Sequence, residues 1–346
     1  MFGKIIASLY DKVFINIVSQ YTKTVLYIEV VGSKGVKSRV YKEFSHTQPF
    51  HDIVHFVQEY QRISPFSYVS FLDASDMQGA LPTCDKERLS YYYDLSTSLV
   101  QCYENRWLYY TSKSDIEALK KSYETFGVDF VFSPFLLVHN FFQDKVGGDV
   151  GLYVLIEHHA ISLTIFKENQ LLFAKYLEVE HPGDVIHFED EEGLNIEDEE
   201  SLEDLDEGID LEDIEIDDDE IETLEDFGDI EDLDSVEDIE DFAEHQDEQE
   251  ELLEYEEMEV EQKVHDTTSE DYQRFSLIEK GVGTFYSDTR YESEFLENIY
   301  IADSVGVSAD LRKYLEEEMF LNVYIRKIDI GAEICELAKE ELQHAL

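Results

Sequence analysis

Apolar and β-branched residues dominate three consecutive short stretches near the start of the chain. They are Val13–Gln20 (VFINIVSQ), Lys23–Val31 (KTVLYIEVV) and Val36–Phe44 (VKSRVYKEF). This composition, with partial alternation of apolar and polar positions, predicts β-strands. Ser33-Lys34-Gly35 forms the second turn, because glycine accepts the positive φ of a tight hairpin. The pattern therefore predicts a three-strand meander.

Helical and strand patterns then alternate. The predicted strands are Tyr68–Leu72, Arg106–Thr111 and Val128–Phe132, and the predicted helices are Phe50–Tyr60, Ser114–Phe126 and Ser133–Phe142. Ser114–Glu117 has the form of a capping box, whose hydroxyl and carboxylate satisfy the first free amides of a helix. Gly127 ends that helix, and Pro134 opens the next one. This order predicts a mixed α/β layer.

The pattern of three consecutive strands returns in the second half of the chain. Gly151–Ile156, Ala160–Lys167 and Gln170–Glu178 predict a second three-strand meander. Further on, the pattern predicts helices over Asp271–Asp288, Ser308–Glu318 and Gly331–Ala345, and strands over Asn298–Ala302 and Leu321–Lys327. A meander followed by helices thus occurs twice, which indicates a duplicated architecture.

Glu189–Glu270 differs in kind from the rest of the chain. It holds 43 acidic residues and one lysine, so its net charge is about −42, and about −13 of the total −55 lies outside it. Its apolar residues recur every third position, which makes no stable helical stripe, so the segment is predicted to be disordered. It acts either as a solubilising loop or as a docking segment for a basic partner. This charge balance argues against a nucleic-acid partner.

The remaining composition is that of an ordinary globular protein. Cys84, Cys102 and Cys335 are far apart in sequence and form no CxxC pair, which favours separate buried thiols in a reducing compartment. No signal peptide or transmembrane stretch is predicted. The P-loop, HExxH and GxSxG signatures of common hydrolases and metalloproteases are absent from the sequence.

Three segments carry a resemblance to a known family. They are WLYYTSKSDIEALKKSYETFGVDFVFSPFLLVHNFF (107–142), LYVLIEHHAISLTIFKENQLLFAKYLEV (152–179) and NIYIADSVGVSADLRKYLEEEMFLNVYI (298–325). In order and spacing, they resemble PilM-type pilus-assembly proteins and the cytoplasmic domain of the type II secretion L protein, within the actin-like ATPase superfold. The resemblance implies an α/β fold, namely the duplicated, bilobal, actin-like (ribonuclease H-like) fold.

The resemblance also implies a division of the chain into domains. Residues 1–148 would form the first lobe, with a small subdomain inserted over about 67–142. Residues 149–188 and 271–346 would form the second lobe, and 189–270 the acidic insert.

An active member of the superfold carries an Asp-x-Gly turn in each of two phosphate loops. Here the first loop is expected over Asn16–Thr24, with Asn16, Thr22, Lys23 and Thr24 as candidate contacts. The second offers Glu157, His158 and Ser162, and the adenosine segment offers Gly306. These positions depart from the pattern of an active site. The sequence therefore predicts a degenerate nucleotide site, no catalytic residue and no required cofactor, with ATP and Mg²⁺ as the alternative.

Two groups of residues admit both a chemical and a purely structural interpretation. Glu157, His158 and His159 have the residue types of a metal or general-base cluster, but adjacent residues point in different directions, so a filled phosphate loop is favoured. Thr22–Thr24 offer a phosphate cradle with Lys23 as counter-charge, but a polar hairpin is favoured. No metal site is predicted.

These observations predict a non-catalytic scaffold. By resemblance, it would lie at the cytoplasmic face of the inner membrane in a type IV pilus, competence or type II secretion platform, without entering the membrane. It would bind the cytoplasmic tail of a single-pass membrane protein, on the first lobe between Tyr68 and Phe142. Two alternatives stay open: a nucleotide-dependent actin-like switch, and a recognition module that acts through the acidic insert.

Overall fold

The computed structural model describes residues 10–20, 22–179 and 270–345, all of which belong to one compact unit. The acidic insert predicted over 189–270 lies outside the described residues, except for Glu270. In chain order, the first half contains β1 (Lys12–Ser19), β2 (Lys23–Gly32), β3 (Gly35–Ser45), α1 (Phe50–Gln61), β4 (Phe66–Leu72), β5 (Gly79–Leu81), α2 (Lys86–Tyr92), β6 (Ser98–Tyr103), β7 (Trp107–Ser112), α3 (Lys113–Ser122), β8 (Phe130–Phe132) and α4 (Pro134–Phe141). The second half contains β9 (Gly151–Ile156), β10 (Ala160–Lys167), β11 (Gln170–Glu178), α5 (270–287), β12 (Asn298–Asp303), α6 (Ala309–Glu317), β13 (Asn322–Lys327) and α7 (Ile330–Ala345).

Two five-stranded sheets share one topology. The first has the order β3-β2-β1-β4-β8 and the second β11-β10-β9-β12-β13. In each sheet the three strands of the meander are antiparallel. The first strand of each meander also pairs in parallel with a later strand, β1 with β4 and β9 with β12. The last strand is again parallel to its neighbour. The predicted fold, a duplicated actin-like α/β architecture, is confirmed.

Alternation along the strands sorts their side chains between two faces. Val13, Ile15 and Ile17 of β1 are fully buried in the cluster that includes α1. Phe14 and Val18 belong to a larger cluster that also contains residues of β9, α4 and α7. The odd positions therefore build the core of the first lobe, and the even positions face the helices α4 and α7 between the lobes.

A buried ion pair fixes α7 to the first lobe. Lys339 of α7 donates a hydrogen bond to Glu29 of β2, whose side chain is 1% exposed. Arg39 and the Tyr27 hydroxyl donate to the same carboxylate at 2.9 and 3.1 Å. These donors hold the pKa of Glu29 below its usual value, although burial alone would raise it. The carboxylate thus serves as a charged anchor for α7.

A small three-stranded sheet, ordered β5-β7-β6, is inserted between β4 and β8. It lies inside the range 67–142 expected for the small subdomain, whereas β4 and β8 belong to the first main sheet. The sequence patterns missed β5, α2 and β6, because these elements are short and flanked by turn residues. The predicted capping box was also misplaced: the Ser112 hydroxyl, not that of Ser114, accepts a hydrogen bond from the Asp115 amide and caps α3.

The cysteine prediction was wrong for two of the three residues. Cys84 and Cys102 form a disulfide, with a Cα–Cα distance of 5.7 Å and a sequence separation of 18. Cys84 follows β5 and Cys102 lies in β6, so pairing of both strands with β7 brings together residues that sequence spacing keeps apart. Cys335 of α7 remains a buried thiol, as expected.

Candidate functional site

The first hairpin loop is shorter than the sequence indicated. β1 continues to Ser19, and the Gln20 amide donates to the Lys23 carbonyl at 2.8 Å, which closes the turn. Asn16 therefore lies in the middle of β1, fully buried, and its Nδ2 donates to the Tyr27 carbonyl at 3.1 Å. The placement of Asn16 in the phosphate loop is corrected: its side chain belongs to the core beneath α7.

The three residues after this turn are engaged locally. Thr22 is exposed, and its carbonyl accepts a hydrogen bond from the His46 amide. The Lys23 ammonium lies 2.7 Å from a Glu43 carboxylate oxygen on β3, and the Thr24 hydroxyl lies 3.4 Å from Nε2 of His46. The charge of Lys23 is therefore neutralised within the first sheet. This geometry matches a polar hairpin.

The second hairpin is a tight turn built around a buried carboxyl group. The Glu157 amide donates to the Ala160 carbonyl at 2.9 Å, and its side chain is almost inaccessible. Burial raises the pKa of Glu157 to about 8, so the group is mostly protonated at neutral pH and offers little charge to a metal ion. His158 is half-buried at the turn, and Ser162 is fully buried in β10.

The loop after β12 is closed by a carboxylate of the chain itself. Asp303, at the end of β12, accepts hydrogen bonds from the amides of Val305, Gly306 and Val307 at 3.0, 2.8 and 3.1 Å. Gly306 has φ +88°, which lets the backbone wrap around this carboxylate. Such a ring of amides forms an anion-binding nest. Here Asp303 occupies it.

A second carboxylate binds the next amide of the same loop. Asp271, in the first turn of α5, accepts a hydrogen bond from the Ser308 amide at 2.8 Å. Its other oxygen pairs with Arg274 at 2.8 Å, and both side chains are almost fully buried. Four consecutive amides, from Val305 to Ser308, are therefore bound to internal carboxylates.

A cavity of about 290 Å³ lies where the first hairpin meets the second lobe. It is lined by Val18, Gln20, Val25, Tyr41, Ser304 and residues 327–331. This volume is at the lower limit for small-molecule sites. Among the described residues, none of the eight predicted contacts lines this cavity.

A larger groove of about 490 Å³ lies on the first lobe, between the small sheet and β8. Leu99, Val100 and Gln101 of β6 form one wall, and residues 128–133 form the other. Both β6 and β8 are terminal strands of their sheets, and no strand in the described part of the chain pairs with their outer edges. The groove thus offers two strand edges together with apolar side chains.

Carboxyl groups outnumber cations around this groove. Asp73, Asp129 and Glu341 line it, with Lys120 as the one basic residue among the described lining residues. Asp129 is partly committed, since it accepts a hydrogen bond from the Val69 amide at 2.8 Å. Burial raises the pKa of Asp73. The groove therefore has a mixed lining of apolar side chains and carboxyl groups, with Asp129 and Glu341 exposed and Asp73 buried.

Two negative findings limit the chemistry of the described residues. In residues 10–20, 22–179 and 270–345, no group of three or more His, Cys, Asp or Glu side chains is arranged to hold a metal ion. No helix in these ranges has the length and apolar character needed to cross a membrane.

Comparison with protein families gives two matches. The family described as Domain of unknown function (DUF8341) matches residues 152–343, more than half of the chain. The chain belongs to this family. The DUF8341 match begins in β9 and ends in α7, and the separate Domain of unknown function (DUF8569) matches residues 10–139. No curated protein matches the chain.

Two solved structures similar to this DUF8341 member cover almost its whole length at low identity, and a third covers about half of it. One is a Bacteroides thetaiotaomicron protein with an actin-like ATPase fold and unknown function, with 11% identity, TM-score 0.47, and coverage of 95% of this chain and 96% of that chain. Another is a PilM-PilN type IV pilus biogenesis complex, with 8% identity, TM-score 0.48 and 95% coverage of both chains. The ethanolamine utilization protein EutJ from Carboxydothermus hydrogenoformans matches over 48% of this chain and 52% of its own, with 8% identity and TM-score 0.25.

Proposed function

We propose that the protein is a non-catalytic scaffold that binds an extended segment of a membrane protein in the groove between β6 and β8. The observation that carries this proposal is the pair of unpaired strand edges facing one apolar groove of about 490 Å³. An extended peptide can add to such an edge through backbone hydrogen bonds, while side pockets select its side chains.

The structure around the expected nucleotide site supports a scaffold over an ATPase. The loop around Gly306 was expected on the adenosine side of a nucleotide site, yet its amides from Val305 to Ser308 are bound to Asp303 and Asp271. Glu157, at the place of the metal-binding Asp of active members, is buried in a closed turn, and burial raises its pKa to about 8. Both features favour a protein that has lost nucleotide binding at this site.

The exposed carboxyl groups of the lining indicate the chemistry of the bound segment. Asp129 and Glu341 lie beside the apolar side chains of the groove, whereas Asp73 is buried. A segment with apolar side chains and at least one Lys or Arg would complement this surface. Such a composition is common next to the cytoplasmic end of a transmembrane helix, where basic residues accumulate.

The cellular setting is proposed from the sequence resemblance to PilM-type proteins. The protein would work at the cytoplasmic face of the inner membrane, in a type IV pilus, competence or type II secretion platform, and its partner would be a single-pass membrane protein. The second candidate is a nucleotide-dependent switch, favoured by the cavity of about 290 Å³ that persists between the first hairpin and Ser304.

Val100→Asp is expected to weaken peptide binding about tenfold or more, because it places a carboxylate on the apolar wall of the groove. The probes are fluorescently labelled peptides covering the cytoplasmic tails of the single-pass membrane proteins of the source cell, measured by anisotropy. We expect at least one tail to bind with a micromolar Kd.

Val36→Asp is the matched control. Val36 is 44% exposed, against 50% for Val100. It lies on β3, the edge strand of the first sheet farthest from β8 and the groove. It should leave binding unchanged. Equal weakening by both variants, or no binding of any tail to the wild-type protein, would contradict the proposal.

A further inference from the structure

We infer that Cys84 and Cys102 form a reversible thiol–disulfide site that controls the shape of the peptide groove. The inference rests on the proposed function only for the identity of the ligand in the groove. The disulfide itself and its position on the small sheet are features of the structure.

Cys102 is the next residue in sequence after the β6 wall of the groove. It lies in β6, directly after the three residues Leu99, Val100 and Gln101 that line the groove. Within the described residues β6 pairs with β7 alone, since it ends the small sheet. An edge strand held from one side opens more readily than a central strand. The position of this wall therefore depends on any additional tether.

Cys84 belongs to a segment that is fixed to the second lobe. Gln170 of β11 donates through Nε2 to the carbonyls of Pro82 and Arg106 at 3.0 and 3.2 Å. Farther along, the Arg290 guanidinium donates to the Tyr92 carbonyl at 2.6 Å, at the end of α2. The chain from Pro82 to Tyr92 is thus anchored at both ends on the second lobe.

The disulfide joins these two parts. It connects the outer strand β6 to the anchored segment, passing over the beginning of β7. When oxidised, it holds the β6 wall in place against β8 and preorganises the groove for an extended ligand. When reduced, β6 keeps its ladder with β7 and the contacts of Tyr103 with α4 but loses the covalent tether, and the wall gains freedom. The oxidised form should therefore bind the ligand more tightly.

The chemistry is an ordinary exchange with a low-molecular-weight thiol. One external thiolate attacks a sulfur of the disulfide, which forms a mixed disulfide with that cysteine and releases the other cysteine as a thiolate. A second external thiolate attacks the external sulfur of the mixed disulfide and releases the first cysteine. Two electrons and two protons are transferred, which yields two protein thiols and one external disulfide. Cys102 is exposed, so an attacking thiol can reach it.

Cys335 provides an internal reference. It is fully buried in α7, and burial raises its pKa to about 12, which leaves almost no thiolate at neutral pH. In the native protein it should not react with maleimide or exchange with glutathione. Only the pair on the small sheet should therefore respond to the redox state.

The test combines thiol counting with hydrogen exchange on the full-length protein. After equilibration with oxidised or reduced glutathione, mass spectrometry of the denatured, maleimide-labelled protein should count one thiol in the first case and three in the second. Amide exchange over Ser98–Tyr103 should be about tenfold faster in the reduced form, while that of Phe130–Phe132 stays unchanged.

The double variant Cys84→Ser/Cys102→Ser should exchange like the reduced wild type. If that variant does not fold, the reduced wild-type protein gives the same comparison. Three thiols in oxidised glutathione, or equal exchange of β6 in both forms, would overturn the inference.

Peptide binding separates this inference from the proposed function. The tail that binds the wild-type protein should bind the oxidised form about tenfold more tightly than the reduced form. Equal affinity would refute redox control and leave the scaffold proposal intact. A redox-dependent exchange of β6 with no peptide bound to either form would refute the scaffold proposal and leave the redox site standing.

Discussion

Replacing Lys339 by methionine is expected to lower the free energy of unfolding by about 2–4 kcal/mol. The Glu29 carboxylate would stay buried in the sheet while losing the ammonium that α7 presents to it. Arg39 still pairs with Glu29, but its side chain is 62% exposed and cannot replace a partly buried cation. Methionine keeps most of the length of the lysine stem, so the change removes charge with little loss of packing. Urea denaturation followed by circular dichroism measures the effect.

Lys313→Met is the control, since Lys313 is an exposed lysine on another helix, α6. This change should alter the free energy of unfolding by less than about 0.5 kcal/mol. The double variant Glu29→Gln/Lys339→Met should recover part of the loss, because a neutral amide is cheaper to bury than an unpaired carboxylate. Equal losses for Lys339→Met and Lys313→Met would show that the ion pair contributes nothing.

The pH dependence of this pair has a definite sign. The pKa of Glu29 is lowered in the folded protein from an ordinary value of 4.5, so its contribution to stability is present above that pH. It is lost as the pH falls through the lowered pKa of the folded state. The gap in stability between the wild-type protein and Lys339→Met should therefore shrink as the pH falls below about 4. A gap that stays constant from pH 7 to pH 3 would contradict this assignment.

Asp303→Ala is expected to cost about 2–3 kcal/mol of stability, because three backbone amides of a half-buried loop lose one charged acceptor. Asp303→Asn should also destabilise the protein, since its amide nitrogen cannot accept the hydrogen bonds that the second carboxylate oxygen accepts. Thermal unfolding of both variants, beside Glu318→Ala as an exposed control, measures the effect. Unchanged melting of Asp303→Ala would mean that the carboxylate does not hold the loop.

The two meanders could be predicted because their strands carry the information locally. Val13–Gln20 and Gly151–Ile156 are dense in β-branched and aromatic residues, and the turns between strands are marked by glycine or by Glu168-Asn169. Glu168 and Asn169 both adopt positive φ, as a tight hairpin requires. The order of the elements then defined the duplicated fold.

The small sheet could not be predicted in the same way. β5 has three residues, and β6 presents Leu99 and Val100 to solvent, so neither shows the alternation of a half-buried strand. The disulfide between Cys84 and Cys102 depends on this sheet, since both cysteines meet only when β5 and β6 flank β7. The wide separation of the two cysteines in sequence had instead predicted separate thiols.

The candidate site was only partly visible in the sequence. Gly306 was singled out, and it does lie in a loop with positive φ after β12. The role of Asp303, three residues earlier, could have been suspected, because a short acidic side chain before a turn commonly accepts its amides. The hydrogen bond from Ser308 to Asp271 spans 37 residues and depends on how α5 packs. No local pattern encodes such a contact.

Calorimetric titration of the full-length protein with Mg-ATP tests the central claim most directly. The claim is that the nucleotide site is degenerate, with the loop expected on the adenosine side held by Asp303 and Asp271, so that the protein binds no nucleotide. We predict no saturable heat with Mg-ATP up to about 1 mM, a concentration that would half-fill even a site with a millimolar Kd. Saturable binding with a micromolar Kd would contradict the scaffold account and favour the nucleotide-dependent switch.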